Sequence, residues 1–243
     1  MKISAEELLQ RYALGERDFS GVDLSRINIA VGYAEKLIDR YQPEDKSWLG
    51  EALLSDINLS NANLKFANLD GGELSSANLR EANFRGANLR QVILYDADLR
   101  GADFANANLE GAGLSEANLE NANFKDANLS GASLCSADLE GINFAGANLY
   151  EADFYATNLE GNNFTNANLV GANLEATSLE RANMAFANLI GAINVNIKNS
   201  ILHNTIMPDG SIFSNSDSDT EEMDIPMYKY PRTLYLCDIL TNS

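Results

Sequence analysis

The chain has 243 residues, with 17 Lys+Arg against 35 Asp+Glu, a formal net charge of -18 and a pI near 4.3, so bare nucleic acid does not fit as a direct partner. Its 2 Cys and 1 His leave no disulfide framework, no four-thiolate zinc site and no His cluster; no metal or cofactor is expected, and Ser/His/Asp chemistry is nearly closed off. A hydrophobic share of 45% supports a substantial core, but 8% aromatics, 4 Pro and 1 Trp fit neither an ordinary mixed domain nor a disordered acidic chain, which points to a periodic architecture.

The N-terminal stretch MKISAEELLQRYALGERDF lacks the apolar run of a signal peptide, and no stretch approaches the ~20 apolar residues of a membrane span, so no membrane contact and a reduced, cytoplasmic location are expected. Ser4 and Glu7 form a capping-box pattern ahead of Leu8, Leu9 and Tyr12, which predicts an amphipathic helix over residues 4–15 and an N-terminal cap over 1–17. Phe19, Leu24 and Ile29 then fall five apart within residues 18–29. The spacing breaks over residues 30–51, where Tyr33, Leu37, Ile38 and Tyr41 stand at helical intervals before Pro43, and where the single Trp48 lies. Ile29 and Leu54 keep the same frame modulo five, so 30–51 reads as a helical insert looped out of one continuous structure. It either packs on the main body or protrudes toward a partner, with Trp48 as the anchor.

From Ala52 to Leu189 the period of five runs without insertion or deletion, and the centres Leu54, Leu59, Leu64 and onward to Leu189 number 28, all Leu, Phe or Met. Two residues before each centre the chain usually places Ala, and between the two stands Asn or Asp. On an extended segment, residues two apart share a side, so Ala and Leu face inward and Asn faces out. A period of five keeps no helix face. An in-out-in triplet followed by two small or polar residues is a short strand and a corner, repeated, and residues 52–192 must coil around an apolar axis. Phe84, Phe104, Phe124, Phe144 and Phe164 step by 20, with Met184 next, and so do Leu53, Glu73, Ile93, Gly113 and Ser133, which break the outward Asn/Asp rule. Four pentads per coil follow, giving a square section, one wall unlike the others, an internal Phe ladder, and a rod of ~34 Å at ~4.8 Å per coil.

The stretches ANLRE ANFRG ANLRQ and ADLRG ADFAN ANLEG resemble the A(D/N)LXX pattern of the pentapeptide repeat family, strongly over Ala52 to Leu189 and weakly at Phe19, Leu24 and Ile29. The resemblance implies an all-β solenoid, a right-handed quadrilateral β-helix; the handedness comes from the resemblance alone. It also implies a hypothesis of function, because some members of that family are thought to imitate DNA and to occupy the DNA site of a type II topoisomerase, protecting it from quinolones.

After Ile190 the centres fail at Asn194 and Asn199, while Ile193, Val195 and Ile197 alternate; 193–213 reads as an irregular terminal coil ending in the turn signal Pro208-Asp209-Gly210. Residues 214–243 comprise an acidic linker, SNSDSDTEEMD, and an apolar tail. Through Ile225, Tyr228, Tyr230, Leu234 and Leu236 the tail is expected to fold back on the solenoid or to pair with a second copy as a homodimer.

Every twentieth residue reads one column of the outer surface. One column is Arg80, Arg100, Glu120, Glu140, Glu160, Glu180: four like charges that fold stability does not call for, either a solvated face or a stripe for a basic partner. Another is Tyr150, Val170, Ile190, an apolar column expected to be covered or to make contacts. Residues 54–100 carry net -1 (five bases, six acids) and 101–192 net -10 (two bases, twelve acids), so the second part approaches the ~1.7 Å charge spacing of duplex DNA. An enzyme built on paired carboxylates such as Glu140 and Glu160 is the remaining alternative, but acid/base work needs a cleft that raises one pKa, and flat walls offer none. His203 reads as a terminal-coil residue, and Cys135, at an outward corner without a nearby His or Arg, as an unreactive thiol. The sequence therefore points to a non-catalytic protein-interaction or scaffold module.

Overall fold

The computed structural model describes residues 1–29 and 54–214. The pentads place an inward residue, usually Ala, and the centre in the core, and the outward residue between them in most cases pairs in parallel with the residue 20 positions on. Four ladders result. Wall one carries Asp18, Asn58, Asn78 and Asp98; wall two Asp23, Asn63, Asn83 and Asp103; wall three Asn28, Asn68, Asn88 and Asn108; wall four Glu73, Ile93, Gly113 and Ser133. A closed ring of four walls satisfies each strand's backbone from the coils above and below it, so edges remain only at the two ends.

The corners follow from one repeated turn. At Leu54 to Ile57, as at nearly every later corner, the fourth residue's N–H donates to the first residue's carbonyl, while the third sits in the left-handed region, for example φ 52° at Gln91 and 70° at Gly146. That combination is a type II turn, which favours Gly or Asn at the third position. At Gly86 the choice is forced: its φ is 65°, and a Cβ there would lie 2.6 Å from the ring of Phe66, the exposed residue stacked above it.

The core is the column of centres. Phe84, Phe104, Phe124, Phe144 and Phe164 line wall two, and ring centroids along the ladder are 4.8, 4.8, 5.4 and 5.1 Å apart. The first two steps are parallel to within 2°; the two around Phe144 tilt by 16°. Phe154, on wall four, meets Phe144 and Phe164 edge-on at 5.8 and 6.4 Å and accounts for that tilt.

The outward Asn residues do more than face solvent. Asn88 Nδ2 donates to Asn68 Oδ1 at 2.9 Å, and the same bond links Asn128 to Asn108, Asn148 to Asn128 and Asn168 to Asn148. The same Oδ1 atoms accept the backbone N–H two residues on, as Asn108 does from Glu110 and Asn128 from Ser130. One amide thus ties a corner and joins two coils, which is why Asn, with both a donor and an acceptor, occupies this position.

Both ends are closed. Helix α1, Ala5–Ala13, starts at Ser4, whose Oγ accepts from the Glu7 N–H; the Glu7 carboxylate turns to Arg11 rather than back to the cap. Leu8 is fully buried over the first coil, and Tyr12 donates its hydroxyl hydrogen to the Ser55 carbonyl. Asp18, Asp23 and Asn28 pair with Asn58, Asn63 and Asn68, 40 residues on. The insert therefore leaves the first coil after wall three and returns at wall four without changing the register. Its conformation, with Trp48, lies outside the described residues. At the other end Asn183 and Asn188 pair with Ile201 and Ile206, only 18 residues on, and Ser200 and Thr205 hydroxyls donate to the Leu179 and Met184 carbonyls. Strand β1 (Thr205–Ile206) then pairs antiparallel with β2 (Ile212–Phe213) around Pro208-Asp209-Gly210.

Candidate functional site

The acidic column stands on the edge between walls one and two, where the residue after each wall-one centre points out. Glu140 and Glu180 are exposed; Glu120 and Glu160 are half-buried. Three of these carboxylates have partners outside their own column. The Arg181 guanidinium, one position over at the same edge, hydrogen-bonds Glu160, Asn121 Nδ2 donates to Glu120 at 3.1 Å, and Asn199 Nδ2 donates to Glu180 at 3.3 Å. Reading one column at a time hides a partner that belongs to the next column.

Four arginines in the N-terminal half are likewise engaged. Arg85 reaches Asp103 at 3.1 Å, Arg90 reaches Glu110 at 3.6 Å, and Arg80 and Arg100 converge on Asp98 at 3.8 and 2.6 Å. Arg100, through hydrogen bonding first, holds the Asp98 carboxyl below its ordinary value of 3.8. A carboxyl depressed in the fold stabilises it fully above the unfolded value and loses that contribution as pH falls through the folded one. Asp98→Asn should therefore lower Tm at pH 7, and the difference from the unmodified protein should shrink below pH 3.8. Thermal melts at both pH values check this, and an equal loss at each would remove the ion-pair explanation.

The apolar column stands on the edge between walls three and four, diagonally across the square from the glutamates. Tyr150 is 41% and Ile190 43% exposed, with Val170 half-buried between them. Gly171 and Gly191 follow Val170 and Ile190, whereas Glu151 follows Tyr150. A hydrogen bond to Glu151 raises the Tyr150 pKa above its ordinary 10.0. Two columns singled out for one partner-binding role are thus not brought together; one flat partner face meets one or the other.

Wall four holds what the sequence did not disclose. Ser133, Asp153 and Asn173 point outward yet are 8%, 4% and 3% exposed, whereas Asp138, Asn158 and Ser178 in the matching positions of wall one are exposed. Cys135 occupies the outward corner position expected of it, but it is buried.

Carboxylate chemistry finds no support at Glu140 and Glu160, one open to water and the other held by Arg181. Among the described residues no group of three or more His, Cys, Asp or Glu is placed to hold a metal. His203 is exposed and packs edge-on against Phe186 at 5.0 Å. No helix among the described residues is long and apolar enough to cross a membrane.

Comparison with known proteins gives a concordant result. No curated protein matches. Among solved structures, HetL, a pentapeptide repeat protein involved in heterocyst differentiation regulation from Nostoc sp. strain PCC 7120, is 28% identical over 87% of this chain and 100% of its own, with a TM-score of 0.40. A pentapeptide repeat protein of the Arabidopsis thaliana thylakoid lumen is 38% identical over 39% of this chain and 65% of its own, with a TM-score of 0.38. QnrB1, a plasmid-mediated fluoroquinolone resistance protein, is 23% identical over 64% of this chain and 81% of its own, with a TM-score of 0.39. The family model for pentapeptide repeats matches in 8 copies, over residues 57–96, 93–131, 127–166 and 163–193. With more than half of its length so matched, the chain belongs to the pentapeptide repeat family, and its four walls form that family's right-handed quadrilateral β-helix.

Proposed function

We propose that this protein is a non-catalytic interaction module whose binding edge is the apolar column Tyr150, Val170 and Ile190. The observation that carries the reading is the exposure of aligned apolar side chains at one-coil intervals on a rigid edge, rimmed by Gly171, Gly191 and the wall-three asparagines. Exposed apolar groups in register are costly to leave in water and mark contact surfaces. The glutamate column, partly satisfied within the chain, sets long-range attraction for a basic partner rather than the contact itself. Tyr150→Ala should weaken partner binding at least about tenfold, as loss of a central aromatic anchor does. Affinity capture followed by titration of the captured partner compares this variant with Glu120, Glu140, Glu160 and Glu180 all changed to Gln. Loss of binding in the glutamine variant alone would transfer the site to the acidic edge.

A second reading, occupation of the DNA site of a type II topoisomerase, is favoured by the net -10 of residues 101–192. A gyrase supercoiling assay tests it; neither inhibition nor protection at micromolar protein removes it.

A further inference from the structure

Over the described coils three of the rod's four edges carry more acids than bases, but the edge between walls two and three reverses the sign. Arg26, Lys65, Arg85 and Lys125 stand along it against one acid, Asp126. Wall three beside it is uncharged from Asn28 to Asn188. Arg80, Arg90, Arg100 and Arg181, on other edges, each reach a carboxylate, whereas among the described residues of this edge only Arg85 forms an ion pair, with Asp103 at 3.1 Å. Arg26, Lys65 and Arg85 occupy successive coils, so a strand spacing of ~4.8 Å separates like charges whose repulsion the fold has to bear. Phe66 lies among them, 58% exposed, leaning over Gly86 with the Arg26 guanidinium 5.4 Å from its ring centroid. At the N-terminal end of the edge, Lys2, Ser25 and Arg26 line a surface cavity of about 360 Å³.

We propose that this edge is the docking surface for a short acidic polypeptide segment of a partner protein, bound extended along the rod with one apolar side chain against Phe66. The dimensions agree. Arg26 and Lys125 stand four coils apart, ~19 Å, the length of about six extended residues at ~3.3 Å each. The charges agree too. Carboxylates of such a run meet Lys65 and Lys125, the cavity beside Arg26 receives the acidic group at its end, and the neutral wall three does not oppose the approach. Phe66 supplies the apolar anchor that fixes a register which charge by itself leaves loose. Length is selected as well. A polyanion whose charge continues past the strip, as that of a nucleic acid does, enters the field of residues 101–192, net -10, and is repelled. The surface lies on a different edge from the Tyr150 column, so the rod offers two contact surfaces of different chemistry.

The experiment titrates the full chain into a fluorescein-labelled peptide, GEELEEDG, at low salt and follows fluorescence anisotropy. Binding should saturate, weaken as added salt screens the charges, and be absent for the uncharged counterpart GQQLQQNG. Arg26→Gln combined with Lys65→Gln should weaken it at least about tenfold, and Phe66→Ala at least about threefold. Arg181→Gln combined with Lys198→Gln removes the same charge elsewhere on the rod and should change the affinity less than about twofold. Hexathymidylate, of equal charge, should bind at least about tenfold more weakly than the peptide. No peptide binding, equal weakening by the two double variants, an unaffected Phe66→Ala, or hexathymidylate binding as tight as the peptide would each overturn the proposal.

Discussion

Phe124→Ala should destabilise the solenoid by about 3–5 kcal/mol. Phe124 is fully buried and stacks on Phe104 at 4.8 Å and on Phe144 at 5.4 Å, so its removal opens a cavity in the axis and breaks two ring contacts at once. Inserted coils fix the walls at one strand spacing, which prevents collapse of the cavity by backbone movement. Urea unfolding followed by far-UV circular dichroism measures the loss. Phe124→Leu, which restores the residue found at the equivalent Leu64, should recover more than half of it. Equal losses for the two variants would mean that ring stacking, rather than filled volume, holds the ladder.

The second large effect centres on Asn162, a polar residue in the inward position where Ala is the rule. It is fully buried; its Oδ1 accepts from the Ile142 N–H at 2.9 Å and its Nδ2 donates to the Leu139 carbonyl at 2.8 Å. At other corners those two backbone groups bond each other, so the Asn162 amide is wedged into an opened turn. Wall one is interrupted at the same height: Asn118 pairs with Asp138 and Asn158 with Ser178, but Asp138 and Asn158 form no bridge. Asn162→Leu keeps the wedge and abandons both polar groups, at about 1–3 kcal/mol each. Asn162→Ala removes the wedge and lets the corner close on its own bond, so it should cost less than half as much. Denaturant midpoints of the two variants decide the matter, and a costlier Ala would show that the opened corner is set by something other than Asn162.

The square section was legible because Phe is scarce enough for its spacing to mark the coil: Phe84 to Phe164 recur every 20 residues, and the rings stack as that spacing requires. The outward asparagines were legible as a direction but not as a ladder, since alternation reports which side a residue faces and not which amide it finds there. Arg181 beside Glu160 escaped for a related reason: it belongs to a neighbouring column and lies one coil down. Asn162 went unnoticed, because the inward position was read as uniformly apolar, and its partners, Leu139 and Ile142, come from the preceding coil and have no signature of their own. The burial of Ser133, Asp153 and Cys135 could not be read at all, because a pentad gives these positions an outward direction and no more.

The wall-three asparagine ladder makes the rod an electrical vector. Each Nδ2 donates toward the preceding coil, from Asn168 to Asn148 to Asn128 to Asn108, and the backbone N–H held by each Oδ1 forbids the flipped amide. Side-chain dipoles of roughly the peptide magnitude, ~3.5 D, therefore add head to tail instead of cancelling, with the positive pole at the N-terminal end. The gradient of formal charge along the axis points the same way. A charged body that approaches from a distance would meet a molecule with a defined polarity, which favours one end-to-end orientation before any side chain is touched.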